Sequence, residues 1–292
     1  MYIVISKISE NKTIAQICLV ITTAIWGITF IMVKEALNDA PPYAFATGRF
    51  FIAAICNFIF IIHQLKHFTK IELFGGFLCG VLLHAGYAFQ NYGLQLTSAS
   101  KSAFITGTSI LIVPFILWIF QKKNIPFKTW LAVTLALFGL FLLINPTGNK
   151  FNMGDVITIG CSVAFAGHIV IQDKFIKKKA SILRFFFIQL ITVTILSYIS
   201  FLVIDTQSIV WSDKLISALL ITGILATFVA IGIMVWAQKL LTPTQTAVIF
   251  ALEPVFAAFY AWYAGGEILS TISWLGGMLI IFGVIWAKSG EE

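Results

Sequence analysis

The sequence predicts an all-α integral membrane protein in which ten transmembrane helices form two inverted five-helix repeats around a central cavity. Three observations carry that prediction. Hydrophobic residues make up 59% of the 292-residue chain and charged residues 11%, with a mean hydropathy of +0.97. A water-facing surface requires roughly 25% charged residues, so lipid must supply most of the solvent. Ten apolar runs, each near the ~20 residues that cross the hydrocarbon, are separated by charges, Pro and Gly. The chain also resembles itself at about half its length.

The runs fall at 13–34, 43–62, 71–96, 101–120, 127–145, 154–173, 182–204, 214–238, 242–264 and 270–287. Continuous runs of this length suit helices, not the alternating strands of roughly ten residues found in barrels. The weakest break is at 240–242, between the eighth and ninth runs. The first run is long enough to span and no small-residue cleavage site clearly follows it, so a retained helix is expected. Cys18, Cys56, Cys79 and Cys161 all lie inside runs without C-x-x-C pairing, which argues against disulfides and metal sites. No cofactor motif and no metal-spaced cluster is present. Gly76 and Gly80 form a small-xxx-small pair suited to close helix packing.

The net charge of +7 would raise the question of nucleic acid in a soluble protein. Here the basic residues lie between apolar runs, so they speak to topology instead. Of 19 Lys and Arg, Lys34, Lys101, Lys150 and Lys214 fall on one side of the membrane and Arg49 inside the second run; the other 14 fall on the opposite side. That bias predicts an inner (plasma) membrane protein with both termini cytoplasmic, and an even number of spans.

A shift of 144 residues lays Trp130-Leu131 on Trp274-Leu275, Phe138-Gly139 on Phe282-Gly283, and Trp118 on Trp262. Shifts of 145 and 140 lay Leu96-Thr97 on Leu241-Thr242, and Gly27 and Lys34 on Gly167 and Lys174. The halves are therefore 13–145 and 154–288, with five runs each, and an odd number inverts the second copy. Charge agrees with inversion: Lys177-Lys178-Lys179 stands where the first half has Leu37-Asn38-Asp39, and Lys122-Lys123 where the second has Gly266-Glu267. Inverted repeats recur in secondary transporters, where two related halves supply two gates.

The segment Ala251-Leu-Glu-Pro-Val-Phe-Ala-Ala, then Gly266-Glu267 and Trp274-Leu-Gly-Gly with Gly283, together with Ala24-Ile-Trp-Gly, Arg49-Phe and Leu96-Thr-Ser-Ala-Ser-Lys-Ser-Ala-Phe-Ile, resembles the drug/metabolite transporter superfamily, in particular its EamA-type members. The resemblance covers nearly the whole chain. It implies a ten-helix bundle whose cavity opens alternately to each side, and movement of small metabolites, often export of amino acids or related compounds. It leaves the substrate open.

Ionisable and polar groups inside spans need a reason. Glu253 precedes Pro254 in the ninth run, where the proline leaves the carbonyl of Phe250 without its donor; the pair makes a gate, a proton-coupling site or a packing lock. Arg49 lies about two turns into the second run, where it either meets a substrate carboxylate or reaches toward the interface. His84, Tyr87, Asn91 and Gln95 recur on one face of the third run. Ser102, Thr106 and Ser109, Phe165, His168 and Gln172, and Thr22, Trp26 and Thr29 do so on the fourth, sixth and first. These stripes predict a substrate cavity bounded by Trp26, His84, Tyr87, Asn91, Thr106 and His168, or hydrogen bonds in a dry core. Nothing catalytic stands out. The expected function is transport of a small molecule; the alternatives are an integral-membrane enzyme with an intramembrane site, and a membrane scaffold.

Overall fold

A computed structural model describes residues 11–144, 152–178, 180–263 and 270–288. Lys7, Lys150, Lys179, Gly266 and Glu267, used in the topology and repeat arguments, lie outside the described residues. The helices are α1 (Lys12–Ala36), α2 (Pro42–Ile61) continued by a 3-10 turn (Ile62–His67), α3 (Lys70–Leu96), α4 (Ala99–Gly107), α5 (Ser109–Gln121), α6 (Phe127–Ile144), α7 (Met153–Ile176), α8 (Ile182–Ile204), α9 (Asp213–Ile221), a π segment (Thr222–Val229), α10 (Ala230–Ala237), α11 (Pro243–Phe250), α12 (Glu253–Tyr263) and α13 (Thr271–Lys288). No strand occurs among the described residues.

Seven stretches are long and apolar enough to span a membrane: Lys12–Ala36, Pro42–His67, Lys70–Leu96, Ala99–Gln121, Met153–Ile176, Ile182–Ile204 and Asp213–Ala237. Phe127–Leu143 and Thr271–Trp286 are shorter apolar helices, and α11 and α12 lie end to end in the ninth predicted run. Large apolar side chains such as Ile59, Phe74, Leu202 and Ile285 are exposed on the outside of the bundle, as a lipid-facing surface requires. The chain is a multi-pass membrane protein.

Helix starts are specified locally. Thr69, Asn152 and Thr242 each open a helix with a reciprocal capping box, using Glu72, Asp155 and Gln245. The principal packing partners are α3 with α7 and α8, α2 with α8 and the π segment, α6 with α13, α1 with α10 and α12, and α7 with α4 and α5. Gly76 and Gly80 allow α3 to approach α8: a Cβ on Gly76 would lie 2.7 Å from that of Ile188, and one on Gly80 would lie 2.5 Å from that of Thr192.

The loops gather at two ends. At the basic end Glu72 is fully buried and receives two bonds from Arg184 (3.0 and 2.9 Å) and one from the Ser181 amide (2.8 Å). At the opposite end Asp155 receives Thr97 (2.5 Å) and Lys101 (3.1 Å). There Asp205 also accepts from the Tyr43 and Ala44 amides (3.1 and 3.2 Å) and from the Tyr92 hydroxyl (2.7 Å).

Candidate functional site

Three departures from regular helix build the interior. Pro254 cannot donate to Phe250 and its ring crowds that carbonyl, so α11 ends at Phe250 and α12 restarts at Glu253. In the fourth predicted run the break falls between Gly107 and Ser109. There the Ile105 carbonyl, which would accept from Ser109 in an α-helix, instead takes the Thr108 amide (3.1 Å), the Thr108 hydroxyl (2.6 Å) and the Ser162 hydroxyl. The two breaks pack together, and a Cβ on Gly107 would approach Pro254 Cγ to 3.0 Å.

The third departure is the π segment, where the Ala230 amide bonds the Leu225 carbonyl and not that of Ala226. The Ala226 carbonyl accepts instead from Trp26 Nε1 (2.8 Å) and Arg49 Nη2 (3.3 Å). Arg49 Nε donates to the Thr227 hydroxyl (2.6 Å), Nη2 also donates to the Tyr87 hydroxyl (3.1 Å), and the guanidinium lies 4.5 Å from the centre of the Tyr87 ring. A π bulge thus fixes both a cation and an indole. Arg49 Nη1 has no hydrogen bond among the described residues.

These groups surround a small cavity of about 60 Å³. Trp26, Thr29, Arg49, Tyr87, Gln90, Thr106, Ser109, His168 and Glu253 supply its polar lining; Phe30, Phe165 and Phe250 supply aromatic surface. Glu253 sits at the start of α12, where the helix dipole favours a carboxylate. Arg49 and Glu253 share the cavity, but no ion pair joins them among the described residues. The cavity is offset from the basic end. On α1 it reaches Val33, about one turn from the end of the helix, while Trp26 lies about four turns from its start.

The structure brings together Trp26, Tyr87, Thr106 and His168 with Arg49, Glu253 and Pro254. It does not bring His84 and Asn91 to the cavity, which corrects their expected placement. His84 Nδ1 pairs with the Ser197 hydroxyl (3.0 Å) and its ring stacks on Tyr43. Asn91 is buried and donates to the Pro42 carbonyl (3.3 Å), its Oδ1 without a partner among the described residues. The reason is rotation. The face of α3 toward the cavity is Leu83, Tyr87, Gln90 and Leu94, one residue, or about 100°, from the His84–Asn91–Gln95 line. A search for polar groups alone picks the wrong face, because the true one mixes two leucines with Tyr87 and Gln90. That i, i+4, i+7, i+11 spacing was the available signal for Gln90.

The sequence profile of the EamA-like transporter family matches residues 13–145 and again residues 152–288. An uncharacterized transporter of Archaeoglobus fulgidus is 34% identical over 275 residues, covering 94% of this chain and 86% of its own. The uncharacterized transporter YoaV of Bacillus subtilis is 25% identical, with 90% and 92% covered. An S-adenosylmethionine uptake transporter of Rickettsia bellii is 23% identical, with 90% and 89% covered. A solved crystal structure superposes with a TM-score of 0.77 at 15% identity over 94% of this chain and 97% of that one, a likeness of fold alone.

Proposed function

Because this chain belongs to the EamA-like transporter family and carries two EamA repeats, we propose that it moves a small organic metabolite across the plasma membrane by alternating access, with amino acids and related zwitterions as the leading class. The observation that carries this reading is that one cavity is lined by both a basic and an acidic side chain, Arg49 and Glu253. Arg49 keeps one guanidinium nitrogen without a hydrogen bond among the described residues, and no ion pair there joins it to Glu253. A solute with a carboxylate for Arg49 and a cationic group for Glu253 satisfies both, and its apolar part lies against Trp26, Phe165 and Phe250. The Rickettsia relative is named for S-adenosylmethionine, itself a carrier of both charges.

We read the fold as ten spans in two inverted five-span repeats, 13–145 and 154–288. The packing supports this. Exchanging each span with the one five later turns the contact of α3 with α7 into that of α10 with α1. The same exchange turns α3 with α8 into the π segment with α2, and α1 with α12 into α7 with α4 and α5. The contacts of α2 with α8 and α6 with α13 map onto themselves. The basic bias of the loops supports cytoplasmic termini.

The test is a panel of amino acids, S-adenosylmethionine, organic cations and neutral solutes, measured in both directions with purified protein in proteoliposomes. Saturable movement of a zwitterion, lost in Arg49→Met, is expected. Movement of neutral solutes alone, untouched by Arg49→Met, would remove the zwitterion reading.

A further inference from the structure

Below the cavity, toward the basic end, lies a run of buried amides that the substrate reading does not use. His168 Nε2 pairs with Gln189 Oε1 (2.8 Å), Gln189 Nε2 donates to Gln172 Oε1 (3.0 Å), Gln172 Nε2 donates to Gln238 Oε1, and Gln238 Nε2 donates to the Ile169 carbonyl (3.1 Å). All four side chains are at most 1% exposed. They tie α7 to α8 and to the turn after α10.

An amide can be turned end for end, so the direction of such a chain must be set by a group that cannot turn. Here that group is the Ile169 carbonyl, which only accepts. Gln238 must therefore present its NH2 to Ile169 and its oxygen to Gln172. Gln172 then shows its oxygen to Gln189, and Gln189 is left with an oxygen for His168. His168 must donate from Nε2. Its bonded partner is a neutral amide, and an imidazolium there would be a buried charge with no carboxylate in hydrogen-bond contact, which is costly. A neutral ring that donates from Nε2 carries a bare Nδ1. His168 lines the cavity, and its Nδ1 has no partner among the described residues.

We infer that Gln189, Gln172 and Gln238 are positioning residues that lock His168 in its Nε2–H form, so that the cavity wall offers a hydrogen-bond acceptor and selects solutes carrying an N–H or O–H donor at that point. The selection rests on the transport reading above; the tautomer does not. A buried site built to accept rejects an analogue that lacks the donor, because the acceptor is then left dry.

The experiment is nitrogen NMR of the protein in nanodiscs, labelled with 15N-histidine, with His63, His67 and His84 replaced by Gln so that His168 gives the only side-chain signals. A protonated Nε2 and a bare Nδ1 are expected. Gln238→Met removes the anchor, so both tautomers should appear. Gln238→Glu should preserve the single form: whether ionised or protonated, a carboxyl at 238 still accepts from Gln172. Methanol, a donor, should shift the Nδ1 resonance, and acetonitrile, which has no donor, should not. A proton on Nδ1 or on both nitrogens in the parent, an unchanged single tautomer in Gln238→Met, or an equal Nδ1 response to the two probes would overturn the inference. The parent measurement decides the tautomer even if a Gln238 variant fails to fold. None of these readouts requires transport, so a silent transport assay would sink the substrate reading separately.

Discussion

Lys34 and Lys177 make the same kind of contact at opposite ends of the molecule. Lys34, in the last turn of α1, donates to the carbonyls of Leu94 (3.1 Å) and Thr97, where the third span meets the fourth. Lys177, just past α7, donates to the carbonyl of Leu241 (3.3 Å), where the eighth meets the ninth. On the inverted-repeat reading the segments they reach, Leu96-Thr97 and Leu241-Thr242, are counterparts, although the lysines themselves are not: Lys34 falls on Lys174 and Lys177 on Leu37. What lies behind them differs. Lys34 is half-buried, in no ion pair among the described residues, and immediately follows Val33 of the cavity wall. Lys177 is exposed, shared with Asp173, and five residues beyond Gln172 of the buried glutamine chain. At one end a lysine donates to two carbonyls next to the cavity wall; at the other a buried chain of amides lies behind the lysine, and on the transport reading these act as a latch and a plug. On the alternating-access reading proposed above, the two ends are unequal gates, and the Lys34 end is expected to open more readily.

The largest expected effect is all-or-none and assigns these ends to compartments. A reporter that works only in the cytoplasm, fused after Glu292, should be active, and one that works only outside should be silent. The reverse result would turn the molecule over and make Lys34 the cytoplasmic latch. Next is the stability of the basic end. Glu72→Ala leaves Arg184 and the Ser181 amide without their buried acceptor, and should cost about 3 kcal/mol. Asp155→Ala loses a single-point lysine and a hydroxyl at the other end and should cost less, about 2 kcal/mol. Thermal unfolding in nanodiscs would rank the two, and a larger loss for Asp155→Ala would contradict the picture of a firmer basic end.

Lys34→Met probes the latch itself. Hydrogen bonds from a charged donor contribute about 1.5–3 kcal/mol, so removing them should raise the open population at that end by about tenfold or more. In a background lacking Cys18, Cys56, Cys79 and Cys161, a cysteine at Val33 should react correspondingly faster with a hydrophilic thiol reagent. An unchanged rate would mean that apolar packing of Phe30 and Leu94, and not the lysine, holds that end.

The reach of the sequence can be judged from the same side chains. Apolar runs and basic loops are set by the cost of exposing backbone and charge to lipid, and that cost is written in composition; the runs accordingly match the observed helices to within a few residues. Trp26, Tyr87, Thr106 and His168 were readable because a polar group in a span must turn inward. His84 and Asn91 obey the same rule yet turn to Ser197 and Pro42, because inward includes every helix contact as well as the cavity. The break before Glu253 was readable from Pro254. The break at Thr108 and the π segment were not: one arises from hydroxyls competing for the Ile105 carbonyl, the other from Trp26 and Arg49 competing for that of Ala226, and both contests are tertiary.

The smallest expected effect is the sharpest test of the comparison. Lys177 is exposed and already shared with Asp173, and such surface pairs contribute about 0–1 kcal/mol. Lys177→Met should therefore change the open population at the basic end by less than about fivefold. Any opening there must also part the Gln172–Gln238 and Gln172–Gln189 bonds, which the substitution leaves intact. A cysteine at Ile169, on the cavity wall, reports on this when the reagent is applied from the basic side. Labelling should stay slow in Lys177→Met and rise only when Gln172→Leu is added, since that change removes the centre of the chain. If Lys177→Met alone speeds labelling at Ile169 as much as Lys34→Met speeds it at Val33, the two lysines are equivalent latches and the glutamine chain is not a barrier. If Gln172→Leu speeds it without Lys177→Met, the plug alone closes that end, and the resemblance between the two lysines is one of contact only.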